Sequence, residues 1–168
     1  MRNNKYISRI CDTTLQNALD TMGAVLIEGA KWCGKTSTAS NVARSTPYMQ
    51  DPDNARSYRE LADTKPSLLL QGEAPRLIDE WQMSPVLWDA VRFEVDKRQK
   101  TGQFILTGSA VPADNVTAHT GTGRFGRILM RPMSLYESQV DNIRYSGPPN
   151  ISLEGHLLSS LDRTKHEL

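Results

Sequence analysis

Hydrophobic and polar positions along the chain predict helices that alternate with short apolar strands. Apolar residues three and four positions apart over residues 7–22 predict an amphipathic leading helix. The apolar run at residues 24–27 predicts a short buried strand, and residues 35–43 predict the helix that follows it. An extended piece is expected within residues 46–53, before a polar helical stretch at about residues 54–62.

The same alternation continues in the second half. Residues 75–80 predict a short strand that ends in two acids. Ser84 as N-cap and Pro85 as first helical residue predict the start of a helix that Gly102 ends. Its predicted buried face carries Leu87, Val91 and Val95.

Two more apolar runs, at residues 104–108 and 128–130, predict a fourth and a fifth strand. Strands that alternate with helices predict an α/β fold with three layers, in which helices cover both faces of a mainly parallel sheet. We expect residues 1–140 to form this core, and residues 141–168 to form a linker and the start of a further C-terminal region.

Composition narrows the function classes only a little. The chain has 168 residues, 38% of them hydrophobic and 23% charged, with a formal net charge of +1. This balance gives no overall electrostatic reason to expect nucleic acid or an anionic membrane as partner. The sequence lacks both a secretory leader and an apolar run of about 20 residues, so a cytoplasmic protein without a membrane partner is expected.

The most specific motif directly follows the first strand. Residues 29–36 read Gly-Ala-Lys-Trp-Cys-Gly-Lys-Thr, which fits the phosphate-binding loop G-x-x-x-x-G-K-[ST] without a mismatch. In this loop backbone N–H groups surround the phosphates, the lysine contacts the β- and γ-phosphates, and the threonine hydroxyl binds Mg²⁺. The predicted nucleotide-binding residues are Gly29, Ala30, Lys31, Trp32, Cys33, Gly34, Lys35, Thr36 and Ser37.

An acid pair at the end of the strand predicted at residues 75–80 completes the predicted chemistry. Asp79 is expected to hold Mg²⁺ together with Thr36, and Glu80 to polarise the attacking water. A helix-capping acid pair on a solvated loop would explain the same two residues. The phosphate-binding loop upstream favours the functional interpretation.

Thr107 ends the next strand and is expected to sense the γ-phosphate or to fix the attacking water, although a simple strand-ending turn is the alternative. Arg124, Arg127 and Arg131 follow a loop rich in Gly and Thr. Arg124 could act as an arginine finger supplied to a neighbouring subunit. A solvated basic strand edge explains the three arginines equally well.

These motifs occur in an order that resembles a family of prokaryotic AAA-type ATPases with a separate C-terminal domain. The resemblance rests on residues 29–36, 51–53, 77–82, 104–109, 123–124 and 131–137 and covers about residues 6–138. It implies a RecA-like core with an additional strand, ATP and Mg²⁺ as cofactors, acids at Asp79 and Glu80, a sensor at Thr107 or Ser109, and an arginine at Arg124. Family members continue well beyond residue 168, so the chain is expected to be an N-terminal piece.

The leading hypothesis is an ATPase, with Lys35, Glu80, Thr107 and Arg124 in catalytic roles. A nucleotide-gated switch with little hydrolysis and a small-molecule kinase are the alternatives. GTP is disfavoured because no guanine-recognition motif of the Asn/Thr-Lys-x-Asp type occurs. The expected partners are ATP, further copies of the chain in a homo-oligomer, and a protein or DNA bound through the C-terminal region.

Overall fold

The computed structural model describes residues 6–47, 49, 51–108 and 121–138. The elements of this part, in chain order, are α1 (Cys11–Thr21), β1 (Ala24–Glu28), α2 (Lys35–Val42), α3 (Ala55–Thr64), β2 (Arg76–Ile78), α4 (Val86–Arg98), β3 (Phe104–Gly108) and β4 (Phe125–Leu129). Short 3₁₀ helices lie at Pro66–Leu68 and Trp81–Met83.

The strands form one parallel sheet in the order β2-β3-β1-β4. Ala24 at the start of β1 is paired with Phe104 of β3 and with Phe125 of β4. The carboxyl ends of the strands therefore share one edge of the sheet. The β3 strand lies between β1 and β2, which is the additional-strand arrangement that the family resemblance implies.

Side chains of β1 alternate between two hydrophobic cores on opposite faces of the sheet. Ala24 and Leu26 pack in the core beneath α3 and α4, whereas Val25 and Ile27 pack in the core beneath α1 and α2. All four side chains are 0–1% exposed, as expected for a strand that is covered on both faces. The three-layer α/β fold with a parallel sheet is confirmed.

Several predicted boundaries were wrong. The leading helix begins at Cys11 rather than at residue 7, because the Arg9 side chain is buried in bonds to loop carbonyls and Ile7 and Ile10 are 43% and 65% exposed. The described part of residues 46–53 contains no strand. An isolated parallel bridge joins the preceding Ser45 to Arg76 of β2.

The fifth predicted strand begins earlier than its apolar run. It is β4, the fourth strand of the described sheet, and it starts at Phe125 because all five of its residues pair with β1. Only Phe125 and Ile128 of this edge strand are buried. Gly126 and Arg127, which separate Phe125 from the apolar run, hid the start of the strand from the hydrophobic pattern.

Both predicted ends of α4 also differ. The N-cap is Pro85 rather than Ser84, without a side-chain cap, and the carbonyls of these two residues accept the first helical N–H bonds. The helix ends at Arg98 because Gln99 takes a left-handed conformation, three residues before Gly102. Leu87, Val91 and Val95 are buried as predicted. Within the described ranges, every helix is too short or too polar to cross a membrane.

Candidate functional site

The predicted phosphate-binding loop connects β1 to α2 at the carboxyl edge of the sheet. Gly34 precedes α2 with φ +99°, a conformation that favours glycine. A Cβ at Gly29 would lie 2.2 Å from the Met130 carbonyl oxygen. The first glycine of the motif is therefore required by the close approach of the chain that follows β4.

The Lys35 side chain curls back over the loop. Its Nζ donates hydrogen bonds of 2.9 Å to the carbonyl oxygens of Gly29 and Ala30, and the residue is only 6% exposed. Burial of an ammonium group is unfavourable unless hydrogen bonds satisfy it. The loop carbonyls thus hold the positive charge at the N-terminal end of α2, where the helix dipole also favours an anion.

Asp79 joins the loop to β3 through two hydroxyl groups. Its Oδ1 accepts hydrogen bonds from Thr36 Oγ1 at 2.9 Å and from Thr107 Oγ1 at 2.5 Å. The parallel register explains this meeting, because Ile78 pairs with Leu106 and the residue after each lies at the same edge. Three separate segments of the sequence therefore converge on one carboxylate.

Glu80 follows in a left-handed conformation, with φ +50°. Its N–H donates to Thr107 Oγ1 at 3.3 Å, and its Oε2 accepts a hydrogen bond from Gln82 Nε2. The neighbouring Trp81 is 2% exposed and packs on Trp88 with ring centroids 5.2 Å apart. This burial fixes the backbone from which the Glu80 carboxylate projects.

We use the term phosphate cavity for the opening at this edge, which has a volume of about 520 Å³. It is lined by Lys31, Trp32, Gly34, Lys35, Thr36, Ser37, Asp79 and Glu80. The cavity therefore brings together most of the predicted loop residues and both predicted acids. Gly29 and Ala30 lie behind it and contribute the carbonyls that hold Lys35.

The oxygen atoms at the cavity fit a magnesium ion. Mg²⁺ takes oxygen ligands at 2.0–2.1 Å in octahedral geometry, which puts adjacent ligand atoms roughly 2.9 Å apart. Thr36 Oγ1 and Asp79 Oδ1 have this separation. Both are hard oxygen donors, the type that Mg²⁺ prefers.

Thr107 does not line the phosphate cavity. It is 0% exposed, and its hydroxyl group donates to Asp79. In this arrangement it orients the acid, and its predicted contact with the γ-phosphate stays a prediction. The alternative sensor, Ser109, lies outside the described residues.

Arg124 lies away from the cavity. It directly precedes β4 at the amino edge of the sheet, a strand length of roughly 16 Å from the phosphate-binding loop. Its guanidinium is paired with Asp96 of α4 at 2.9 Å, and its side chain is 45% exposed. The structure therefore does not bring Arg124 to the site of its own chain, and neither Arg127 nor Arg131 lines that site.

A second opening, the side cavity, borders the loop and α2 and also has a volume of about 520 Å³. Its lining includes Tyr6, Ile7, Trp32, Cys33, Asn41 and Met133.

Two polar groups of this lining are partly or fully buried. The hydroxyl of Tyr6 donates to Asp12 Oδ1 at 2.6 Å. Burial, followed by this hydrogen bond, raises the pKa of Tyr6 to about 12. Cys33 is 3% exposed, so its thiol has little access to oxidants.

Sequence reasoning missed two residues that support the site. Arg9 donates to the Cys33 carbonyl of the loop at 3.0 Å, to the Arg131 carbonyl at 2.9 Å and to Glu137 Oε1 at 3.0 Å. Gln82 holds the Glu80 carboxylate. For Gln82 a signal was present, because it ends the segment at residues 77–82 on which the family resemblance rests. Arg9 lay inside the predicted leading helix, and no motif in the sequence marked it as a contact of the phosphate-binding loop.

Comparison with known proteins agrees with this architecture. The chain is 35% identical over 100 residues to an uncharacterized protein of Mycobacterium bovis and to another of Mycobacterium tuberculosis. The aligned stretch covers 58% of this chain and 22% of each relative, so the chain matches about a fifth of the length of these proteins. A family model described as an AAA domain matches residues 21–139. The match takes in most of the chain, from the end of α1 past the described residues, and the chain therefore belongs to the AAA domain family.

Proposed function

We propose that this domain binds ATP with Mg²⁺ and hydrolyses it, and that the reaction drives or gates a C-terminal domain. Membership of the AAA family supports nucleotide binding with ATPase-type activity. The finer proposal is carried by one observation, the convergence of Thr36, Asp79 and Glu80 on a cavity that Lys35 also lines.

Each residue has a separate role in this proposal. Backbone N–H groups of the loop and the Lys35 ammonium bind the phosphates and balance their charge. Thr36 and Asp79 hold the metal, directly or through its water. When bound, Mg²⁺ neutralises charge that develops on the β- and γ-phosphate oxygens. Glu80 polarises the attacking water, and Thr107 keeps Asp79 oriented.

A nucleotide-gated switch with little hydrolysis is the second candidate. The hydrogen bond from Gln82 to Glu80 favours it, because a carboxylate that is already bound is less available to a water molecule. The kinase alternative needs arginines over the phosphates. It gains no support, since Arg124, Arg127 and Arg131 do not line the phosphate cavity.

Replacement of Glu80, the proposed general base, tests whether the domain hydrolyses ATP. Glu80→Gln should leave ATP binding intact and lower turnover by roughly a hundredfold or more, because a positioned general base contributes about that much. Steady-state phosphate release and equilibrium binding of ATP would be measured on the parent and the variant.

Glu60→Gln is the matched control, because Glu60 is a 66% exposed acid on α3, outside the cavity. Its ATP affinity and its rate of phosphate release should equal those of the parent. If the Glu80→Gln protein hydrolyses ATP as fast as the parent, Glu80 is not the general base. Very slow turnover in a parent that binds ATP tightly would favour the switch.

A further inference from the structure

Trp32 differs from the other two tryptophans of the chain. It is 88% exposed, whereas Trp81 and Trp88 are 2% and 0% exposed and belong to the core. Its backbone is left-handed, with φ +68°. Such a conformation is unfavourable for a residue with a Cβ and a bulky side chain.

Folding gives no reason for this residue. The indole buries almost no surface, so it adds little hydrophobic stabilisation, and its backbone conformation opposes folding. A large aromatic side chain in a strained and exposed position indicates a contact with something other than the core. The Lys31 ammonium lies 5.6 Å from the ring centroid, which favours one orientation of the indole on the loop.

The position of Trp32 identifies the contact. It lines both the phosphate cavity and the side cavity, as do Gly34 and Ser37 of the same loop and helix. Beyond it the side cavity offers the aromatic ring of Tyr6 and the apolar side chains of Ile7 and Met133. A ligand with phosphates in the first cavity and a flat aromatic group directed to the second would pass against the indole.

We propose that the Trp32 indole stacks on the base of the bound nucleoside triphosphate and makes the site selective for a nucleoside over bare polyphosphate. This inference rests on the proposed function, and it assigns the side chain a role beyond the backbone contacts of the loop. Stacking on an aromatic residue suits any base, and the larger purine rings present more surface than pyrimidines.

Binding assays on Trp32→Ala and Trp32→Phe test the inference. Ligands are ATP, UTP and inorganic tripolyphosphate, each with Mg²⁺. We expect Trp32→Ala to weaken ATP binding roughly ten- to hundredfold, the range for loss of one stacked base. Affinity for tripolyphosphate should stay unchanged, the preference for ATP over UTP should narrow, and Trp32→Phe should keep most of the ATP affinity.

Phe93→Ala is the matched control, because Phe93 is a 62% exposed aromatic residue on α4 that lines neither cavity. It should bind all three ligands like the parent. Since Trp81 and Trp88 are buried, collisional quenching of tryptophan fluorescence by acrylamide reports mainly on Trp32. ATP should protect the parent from quenching, and tripolyphosphate should not.

The outcomes separate this inference from the function on which it rests. If the parent binds ATP and Trp32→Ala binds it equally well, the indole is not a ligand contact. Equal losses for ATP and tripolyphosphate would also overturn the inference, since they would show a distorted loop. A parent that binds neither ligand overturns the proposed function, and this inference with it.

Discussion

At the scale of single residues, Asp79 organises the candidate site because one of its carboxylate oxygens accepts two hydroxyl hydrogen bonds. Thr36 and Thr107 both donate to Oδ1. Hydrogen bonds to an ionised acceptor are stronger than bonds between neutral groups. The bonds thus fix the position of the carboxylate beside the Thr36 oxygen, as a metal with strict octahedral geometry requires.

The sequence predicted part of this arrangement and missed the rest for physical reasons. Lys35, Thr36 and Asp79 were predicted because each stands in a motif at the end of an apolar strand, and parallel strands end at one edge. The bond from Thr107 to Asp79 depends on the register between β2 and β3. No local pattern in the sequence encodes that register.

At the scale of elements, a clasp of Arg9 and Glu137 joins the segment before α1 to the segment after β4. The two side chains are only 5% and 8% exposed, and their ion pair measures 3.0 Å. Arg9 also holds the Cys33 carbonyl of the phosphate-binding loop. The buried guanidinium of Arg9 therefore connects the chain after β4 to the phosphate-binding loop.

The clasp predicts a pH-dependent contribution to stability. Hydrogen bonds from the backbone N–H groups of Ser134 and Ile10 and from Arg9 lower the pKa of Glu137 from 4.5 to about 2. A lowered carboxyl pKa stabilises the folded state fully above pH 4.5, and the contribution is lost as the pH falls from 4.5 to 2. Glu137→Gln should therefore lower the Tm at pH 7, and its difference from the parent should shrink toward pH 2.

Thermal unfolding followed by circular dichroism at pH 7, 4 and 2 measures this difference. Glu60→Gln serves again as the control, because its carboxylate is 66% exposed and pairs with Arg56 on the surface. Its Tm should follow the parent at each pH. A Tm difference for Glu137→Gln that is the same at all three pH values would assign its effect to packing rather than to charge.

Element boundaries were less predictable than the elements themselves. Apolar runs located the strands and apolar spacing located α1, because burial in or against the sheet sets these patterns. The helix α3 was predicted as a polar stretch, and α4 was predicted from the start signal at Ser84 and Pro85. The end of α4 at Gln99 was missed because a non-glycine residue takes the left-handed position. Gly102 was a misleading signal, since its N–H donates to the Met22 carbonyl in the connection to β3.

At the scale of the whole molecule, the position of Arg124 bears on assembly. The residue lies at the amino edge of the sheet, paired with Asp96, and the phosphate cavity lies at the carboxyl edge. A catalytic role for Arg124 therefore requires a second copy of the chain. The arginine finger supplied to a neighbouring subunit stays a prediction. Arg124 does not line the phosphate cavity of its own subunit.

Complementation between two inactive variants tests that role. Arg124→Ala should bind ATP like the parent but lose turnover, because a guanidinium that neutralises transition-state charge contributes about a thousandfold or more. Mixed with Glu80→Gln protein, it should regain part of the activity, as each subunit supplies what the other lacks. Arg56→Ala, which removes an arginine that is 92% exposed on α3, is the control. Absence of rescue in a proven mixed oligomer would return Arg124 to a structural role in its pair with Asp96.

The most direct test of the central claim, that ATP occupies the phosphate cavity, is a calorimetric titration of ATP with Mg²⁺ into the parent and into Lys35→Ala. The 6% exposed ammonium of Lys35 lines the cavity at the N-terminal end of α2, and a charged hydrogen bond to phosphate contributes about 1.5–3 kcal/mol. We expect saturable binding to the parent and a loss of at least roughly tenfold in Lys35→Ala. The control Lys100→Ala, which removes an exposed lysine after α4 and outside the cavity, should bind ATP like the parent. Equal affinity of the parent and Lys35→Ala for ATP would contradict the claim.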